Sequence, residues 1–282
     1  MTEAPGRTRT LRRTAGTVTA LLAATALLEG CGSTDEPAAA PTGGATAAPT
    51  VTASPSPSPT ANPKETLLAA VPDEGAGPFR FSGKDGSMSM SGRVDPDALG
   101  YEISTVFPKD ADGISGKMSF LMIKEDLWMK LKLTGHPGLP RFPDKWMKLD
   151  KSKLDDKESV PAYEGADPGQ TTALIEAATT VKEQGPGSYT GFIDLTKGEA
   201  ADALDEGEAK ALGKAGRRVP FTATITDEHL TSLVLNIPAA GGNKAYQYVA
   251  KYTGFGSTPV IVRPTGDQAT KAPALAYEML NS

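Results

Sequence analysis

The stretch "GKMSFLMIKEDLWMKLKL", residues 116–133, alternates with a period of two on both sides of a charged tripeptide. Met118, Phe120 and Met122 fall on one face, with Leu121 and Ile123 behind them. After "KED" the pattern resumes, and Leu127, Met129, Leu131 and Leu133 stand against Lys130 and Lys132. Alternation of this length marks half-buried antiparallel strands, and the short polar interruption marks their turn. The stretch predicts a hairpin with one apolar face.

The same period extends outward over residues 79–150. "GSMSMSGRV" sets Met88 and Met90 among serines, and "YEISTVF" puts Tyr101, Ile103 and Phe107 on one face. "KWMKLD" follows a Pro-rich loop, and "KDG", "DPDALG" and "KDADG" are turn signals. This is a β-meander. The middle of the chain changes period. "DPGQTTALIEAATTVKEQG" offers Asp167 as N-cap and Pro168 at the first helical position. Leu174, Ile175, Ala178 and Val181 then share a helical face, and Gly185 stops the helix. "SYTGFIDLT" is a strand. Thr196 and Glu199 stand at capping-box spacing before one or two short helices, with Gly207 as the break.

The last third is β again. "VPFTATIT" aligns Val219, Phe221, Ala223 and Ile225, and "LTSLVLNI" aligns Leu233, Leu235 and Ile237 across a "DEH" turn. Tyr246, Tyr248 and Tyr252 share a face, and "PVIVRP" reads as a short final strand or an extended edge. The order meander, helix, strand, helix, meander defines one α+β domain over 64–282.

The first 30 residues read differently. Arg7, Arg9, Arg12 and Arg13 precede an uncharged run from Val18 to Leu28, the layout of an export signal. The run is too short to span a bilayer, which takes about 20 apolar residues. Arg12 and Arg13 hint at twin-arginine export, although the residues after them fit that pattern poorly. "LLEGC" then resembles the bacterial lipobox through Leu28, Gly30 and Cys31, with Glu29 as a departure. The resemblance implies a diacylglyceryl group on Cys31, which becomes the mature N-terminus. Two acyl chains anchor stably where one is marginal. The alternative is an ordinary signal-peptidase site beside a leftover thiol. Cys31 is the single cysteine in the chain, so it has no disulfide partner.

From Cys31 to Pro63 the chain is Pro-, Ala-, Thr- and Ser-rich, with Val51 as its one large aliphatic residue. It cannot bury enough apolar area to offset chain entropy. At about 3.1 Å per residue it would reach on the order of 100 Å as an extended tether. Loss of a 30-residue leader removes four arginines and two glutamates and moves the formal net charge from −5 to −7. That balance argues against nucleic acid as a partner.

Catalytic patterns are absent from the sequence. His136 lies in a Pro/Gly loop and His229 in a hairpin turn, where histidines are usually solvated. There is no G-x-S-x-G elbow, no S-x-x-K pair and no H-E-x-x-H zinc site. Asp110 with Asp112, and Asp155 with Asp156, lack the spacing of a calcium loop and read as acidic loop tips. "GFGST" near Gly254 is too short to cradle phosphate. The reading is of a non-enzyme without metal or cofactor. The methionines are more informative: Met88, Met90, Met118, Met122, Met129 and Met147 all sit in the first meander. Methionine suits surfaces that adapt to variable apolar ligands, and it also suits an ordinary core.

Several of these pieces together resemble actinobacterial lipoproteins of the LppX/LprG type, which share a half-barrel fold with the LolA and LolB lipoprotein carriers. The pieces are Cys31, "FRFSGKDGSMSMSGRV", the 116–133 hairpin with "KWMKLD", the "DP"-opened helix and "RVPFTATITDEHLTSLVLNIP". They span about residues 64–255. The resemblance implies a strongly curved antiparallel sheet, a half-barrel, with helices over its concave face and an apolar cavity between. Met88, Met90, Met118, Phe120, Met122, Leu127, Met129 and Leu131 are the candidates to line it. The implied protein is anchored through Cys31 to the outer face of the cell membrane and binds or transfers a lipid or lipoglycan. The alternative is a structural or interaction lipoprotein of the envelope whose core is filled by its own side chains.

Overall fold

A computed structural model describes residues 62–281 apart from 87, 158, 159 and 205. The leader, Cys31 and nearly all of the expected tether lie outside the described residues. Twelve strands form one sheet: β1 (Phe79–Asp85), β2 (Met88–Asp95), β3 (Gly100–Phe107), β4 (Ser115–Ile123), β5 (Asp126–Thr134), β6 (Trp146–Lys148), β7 (Ala178–Gly185), β8 (Ser188–Ile193), β9 (Val219–Thr226), β10 (His229–Ile237), β11 (Tyr246–Thr253) and β12 (Ala269–Lys271). Their order is β12-β6-β5-β4-β3-β2-β1-β11-β10-β9-β8-β7, so the sheet does not close on itself. All neighbours are antiparallel except β12 and β6. The pairing of β1 with β11 joins the two meanders into one surface. The architecture is α+β, as the sequence predicts.

Residues directly opposite on neighbouring strands share a face. The register therefore traces single rows across the molecule. Leu127, Met122, Tyr101, Val94 and Phe79 form one row, and Met129, Phe120, Ile103, Gly92, Phe81, Tyr252 and Met147 belong to the row beside it. These side chains meet Leu67 of α1 (Pro63–Ala69), Leu174 and Ile175 of α2 (Thr171–Glu176), Leu212 of α3 (Glu206–Leu212) and Ala276 of α4 (Ala274–Leu280) in one apolar core. Leu121, Ile123 and Trp128 face the other way, as their alternation requires, and bury Ile261 in a small second cluster.

The middle of the chain departs from the sequence reading. The helix opened by "DP" lasts only from Thr171 to Glu176, and Ala178–Gly185 is strand β7. Thr179, Thr180 and Val181 are β-branched and stiff in a helix, and the Gly-Pro-Gly turn at 185–187 closes a hairpin onto β8. Asp167 is not the N-cap; Gln170 holds that position in left-handed backbone. The capping box at Thr196 does not form, because the Thr196 hydroxyl donates to Asp194 at 2.6 Å. Gly207 lies inside α3 rather than between helices. Residues 259–264, "PVIVRP", form no strand; the last strand is β12, ten residues on from Pro259.

The C-terminal segment straps the back of the sheet. Ile261 donates its backbone N–H to the buried carboxylate of Asp95 at 2.7 Å, and the Pro259 carbonyl accepts from Arg93 at 3.2 Å. Arg263 reaches Asp126 at 3.0 Å. β12 then lies along β6, and α4 returns to the core side, where the Tyr277 hydroxyl accepts from the Asp150 backbone N–H at 2.9 Å.

Candidate ligand-binding face

The core face has two ends that differ in cover. At one end, Leu67 of α1, Leu174 and Ile175 of α2, and Tyr163 and Ala166 of the loop 163–170 pack into the same apolar core as Phe79, Val94, Tyr101, Met122 and Leu127. The loop is held by tyrosines that rise from the sheet. Tyr101 donates to the Gly165 carbonyl, Tyr248 to the Gly169 carbonyl at 2.7 Å, and Tyr252 to Asp167. Asp167 also accepts from the Thr171 hydroxyl at 3.0 Å and from the Thr172 N–H at 2.8 Å, which starts α2. Tyr163 packs its ring on Tyr101 at 4.8 Å and donates to Glu74 at 2.8 Å. Burial is the first cause that raises Tyr101 and Tyr252, and the Asp167 charge adds to it. The hydroxyls therefore stay protonated as donors.

Toward the other end the face is less covered. Its rows continue through Thr105, Met118, Met90 and Leu131, then Phe107, Gly116 and Leu133. Phe142 from the Pro-rich loop and Tyr246 are half-buried beside the core. Met88 is 38 % and Met90 36 % exposed, whereas Met122, Leu127 and Met129 are each 1 % exposed. A side chain with 1 % accessible surface touches atoms on nearly every side, so no water-sized void runs along it. Phe120 and Leu131, buried but not sealed, mark the boundary.

The eight expected lining residues thus share one face, but they divide. Met122, Leu127 and Met129 pack into the covered core. Met88, Met90 and Met118 stand at the open end, where Phe107, Leu133, Phe142 and Tyr246 were not anticipated as companions. The alternation of Phe107 and Leu133 was legible, but their cover, or lack of it, depends on loops distant in sequence.

A separate recess of about 550 Å³ lies at the end of β9, β10 and β11, lined by Thr226, Asp227, His229, Thr231, Thr253 and Phe255 among others. It contains none of the eight candidates. His229 stacks flat on Phe255, with centroids 4.0 Å apart, and Phe255 stacks on Phe79. His136 is exposed in its loop. The Asp110 carboxylate accepts the N–H groups of Asp112 and Ile114, at 3.0 and 2.8 Å, and so serves its own turn. Among the described residues, no three His, Cys, Asp or Glu side chains converge as a metal site, and no helix is long and apolar enough to cross a membrane.

No family model, curated protein or solved structure matches the chain.

Proposed function

We propose that the chain is a lipoprotein anchored by acyl chains to the outer face of the cell membrane, and that it holds an acylated lipid or lipoglycan on the open end of the core face. The observation that carries this reading is the continuity of that face. Apolar side chains emerge from the sealed core into a half-exposed set of Met88, Met90, Phe107, Met118, Leu133 and Phe142, rich in adaptable methionine. An acyl chain laid there would extend the core. Curvature of the half-barrel kind is part of the reading. Gly92 and Gly191 support it, because an added Cβ would fall 1.8 and 1.9 Å from a neighbouring strand's carbonyl oxygen. Glycine kinks of this sort let a sheet bend. A fluorescent fatty-acyl probe should bind the parent and lose affinity in Met118→Trp, while Met122→Trp should unfold the protein more than it changes the probe. Equal binding by parent and Met118→Trp would contradict the assignment.

The second reading is an envelope interaction lipoprotein with a filled core. The near-complete burial of Met122, Leu127 and Met129 favours it for the covered end. The anchor is tested separately. Cys31→Ser should leave the membrane fraction for the medium or persist as precursor, and unchanged labelling with fatty acid would contradict lipidation.

A further inference from the structure

The back face of the sheet carries a charge pattern that the fold does not require. Side chains that point away from the core on the central strands include Arg80 and Lys84 on β1, Lys117 on β4, Lys130 and Lys132 on β5, and Lys251 on β11. Lys117 and Lys132 stand directly opposite one another in the β4–β5 register. Like charges in such a pair destabilise a sheet. Between the cations runs a row of small hydroxyls, Ser119, Ser104, Ser91 and Ser82, which meets Lys130 at one end and Lys251 at the other. Among the described residues, the carboxylates on these strands' back faces are already engaged: Asp95 by the Ile261 N–H, Glu102 by Arg93, and Asp126 by Lys148 and Arg263. A face of this sign on a chain of formal net charge −5 is a marked asymmetry.

The same side also shows aliphatic side chains to solvent. Val106, between Lys117 and Ser89 in its row, is 50 % exposed. In the strap, Ile261 is buried against the sheet, and its neighbours Val260 and Val262 are 61 % and 68 % exposed. Among the described residues, these three are the most exposed of the large hydrophobic side chains. Val106 lies among these lysines and the strap valines lie on neighbouring rows of the same side, and lysines beside outward aliphatics suit a surface that is anionic in its headgroups and apolar just beneath. We infer that this back face docks on an anionic phospholipid bilayer, with Lys84, Lys117, Lys132 and Lys251 meeting headgroups and Val106, Val260 and Val262 entering the boundary. The inference does not depend on the core face holding a ligand. Docked in this way, the open end of the core face stays on the opposite side of the sheet.

The test uses the full chain with Cys31→Ser, so that no acyl group contributes, and vesicles of zwitterionic phospholipid with and without a third of anionic phospholipid. The leader is common to every chain compared, so ratios between variants isolate the face. The parent should bind the anionic vesicles at least about tenfold more tightly, and the difference should fade at high salt. Lys117→Glu with Lys132→Glu should cost at least about tenfold on anionic vesicles. Lys210→Glu with Lys214→Glu, the same charge change outside this face, should cost less than about twofold. Val260→Ser with Val262→Ser should lower affinity a few fold and leave the salt dependence intact. Equal loss from the two lysine pairs would overturn the inference, because net charge alone would then account for binding. Equal affinity for both vesicles would overturn it too. Retention of a soluble polyanion without vesicle binding would assign the face to a wall polymer and overturn it as well.

Discussion

Met122 and Met90 lie on the same face of the same sheet, two strands apart, and their surroundings are opposite. Met122 stands opposite Tyr101, which donates to the loop at Gly165, and it is 1 % exposed. Met90 is 36 % exposed. Strand alternation determines which face a side chain takes. Whether that face is sealed depends on loops that arrive from elsewhere in the chain. One end of the face is therefore a core in the ordinary sense, and the other is a surface of core-like composition.

The largest expected effect contrasts the two methionines by truncation. Met122→Ala removes packed atoms from a filled site and should cost about 2–5 kcal/mol. Met90→Ala should cost no more than about 0.5 kcal/mol. Denaturant unfolding of both variants measures the contrast, and similar losses would erase the distinction between the ends. Next comes the clamp. Tyr252→Phe removes a donor to the Asp167 carboxylate and should cost about 2 kcal/mol. It should also raise backbone amide exchange in residues 163–171 more than in β4 and β5. Uniform loosening would mean that the tyrosine does not hold the cover.

The clamp also sets an alkaline limit. Tyr101 and Tyr252 are raised above their ordinary value of 10.0, by burial first and then by nearby carboxylate charge. The folded hydroxyls keep their protons where unfolded ones lose them. Their contribution is full below pH 10 and falls as pH rises above it, by up to about 1.4 kcal/mol per pH unit for each group. Unfolding free energies from pH 8 to 11.5 should be flat and then decline. A flat profile throughout would contradict the burial assigned to these hydroxyls.

The hairpin at 116–133 was fully legible, including the back-facing Leu121 and Ile123, because a period of two admits one assignment of faces. The segment 178–185 was not. Ala178 and Val181 continue the helical spacing of Leu174 and Ile175, and only pairing with β8 decides for a strand. α1, α4 and the strap were equally hidden. Burial of Ile261 rests on a hydrogen bond to Asp95, 166 residues away in sequence, and no local pattern announces it. The apolar face of the candidate site was thus readable from alternation, while its division into sealed and open ends depends on cover from segments distant in sequence.

A small stability effect is also expected from enlarging a side chain at the open end. Met118→Trp should change unfolding free energy by less than about 1 kcal/mol, since the added ring can turn toward solvent, while the same change at Met122 overpacks and should cost roughly 1–3 kcal/mol. Near-equal costs would show that the open end is as tightly filled as the covered one.

The most direct test is mass spectrometry of lipids extracted from the full-length protein purified from bacterial membranes, beside the Met118→Trp protein prepared in the same way. The account predicts an acylated lipid at near-stoichiometric yield in the parent, in addition to the covalent anchor, and a large reduction in the variant at unchanged stability. A parent that carries no lipid beyond its anchor, or a variant that carries as much as the parent, would contradict the assignment of the open face as a ligand site.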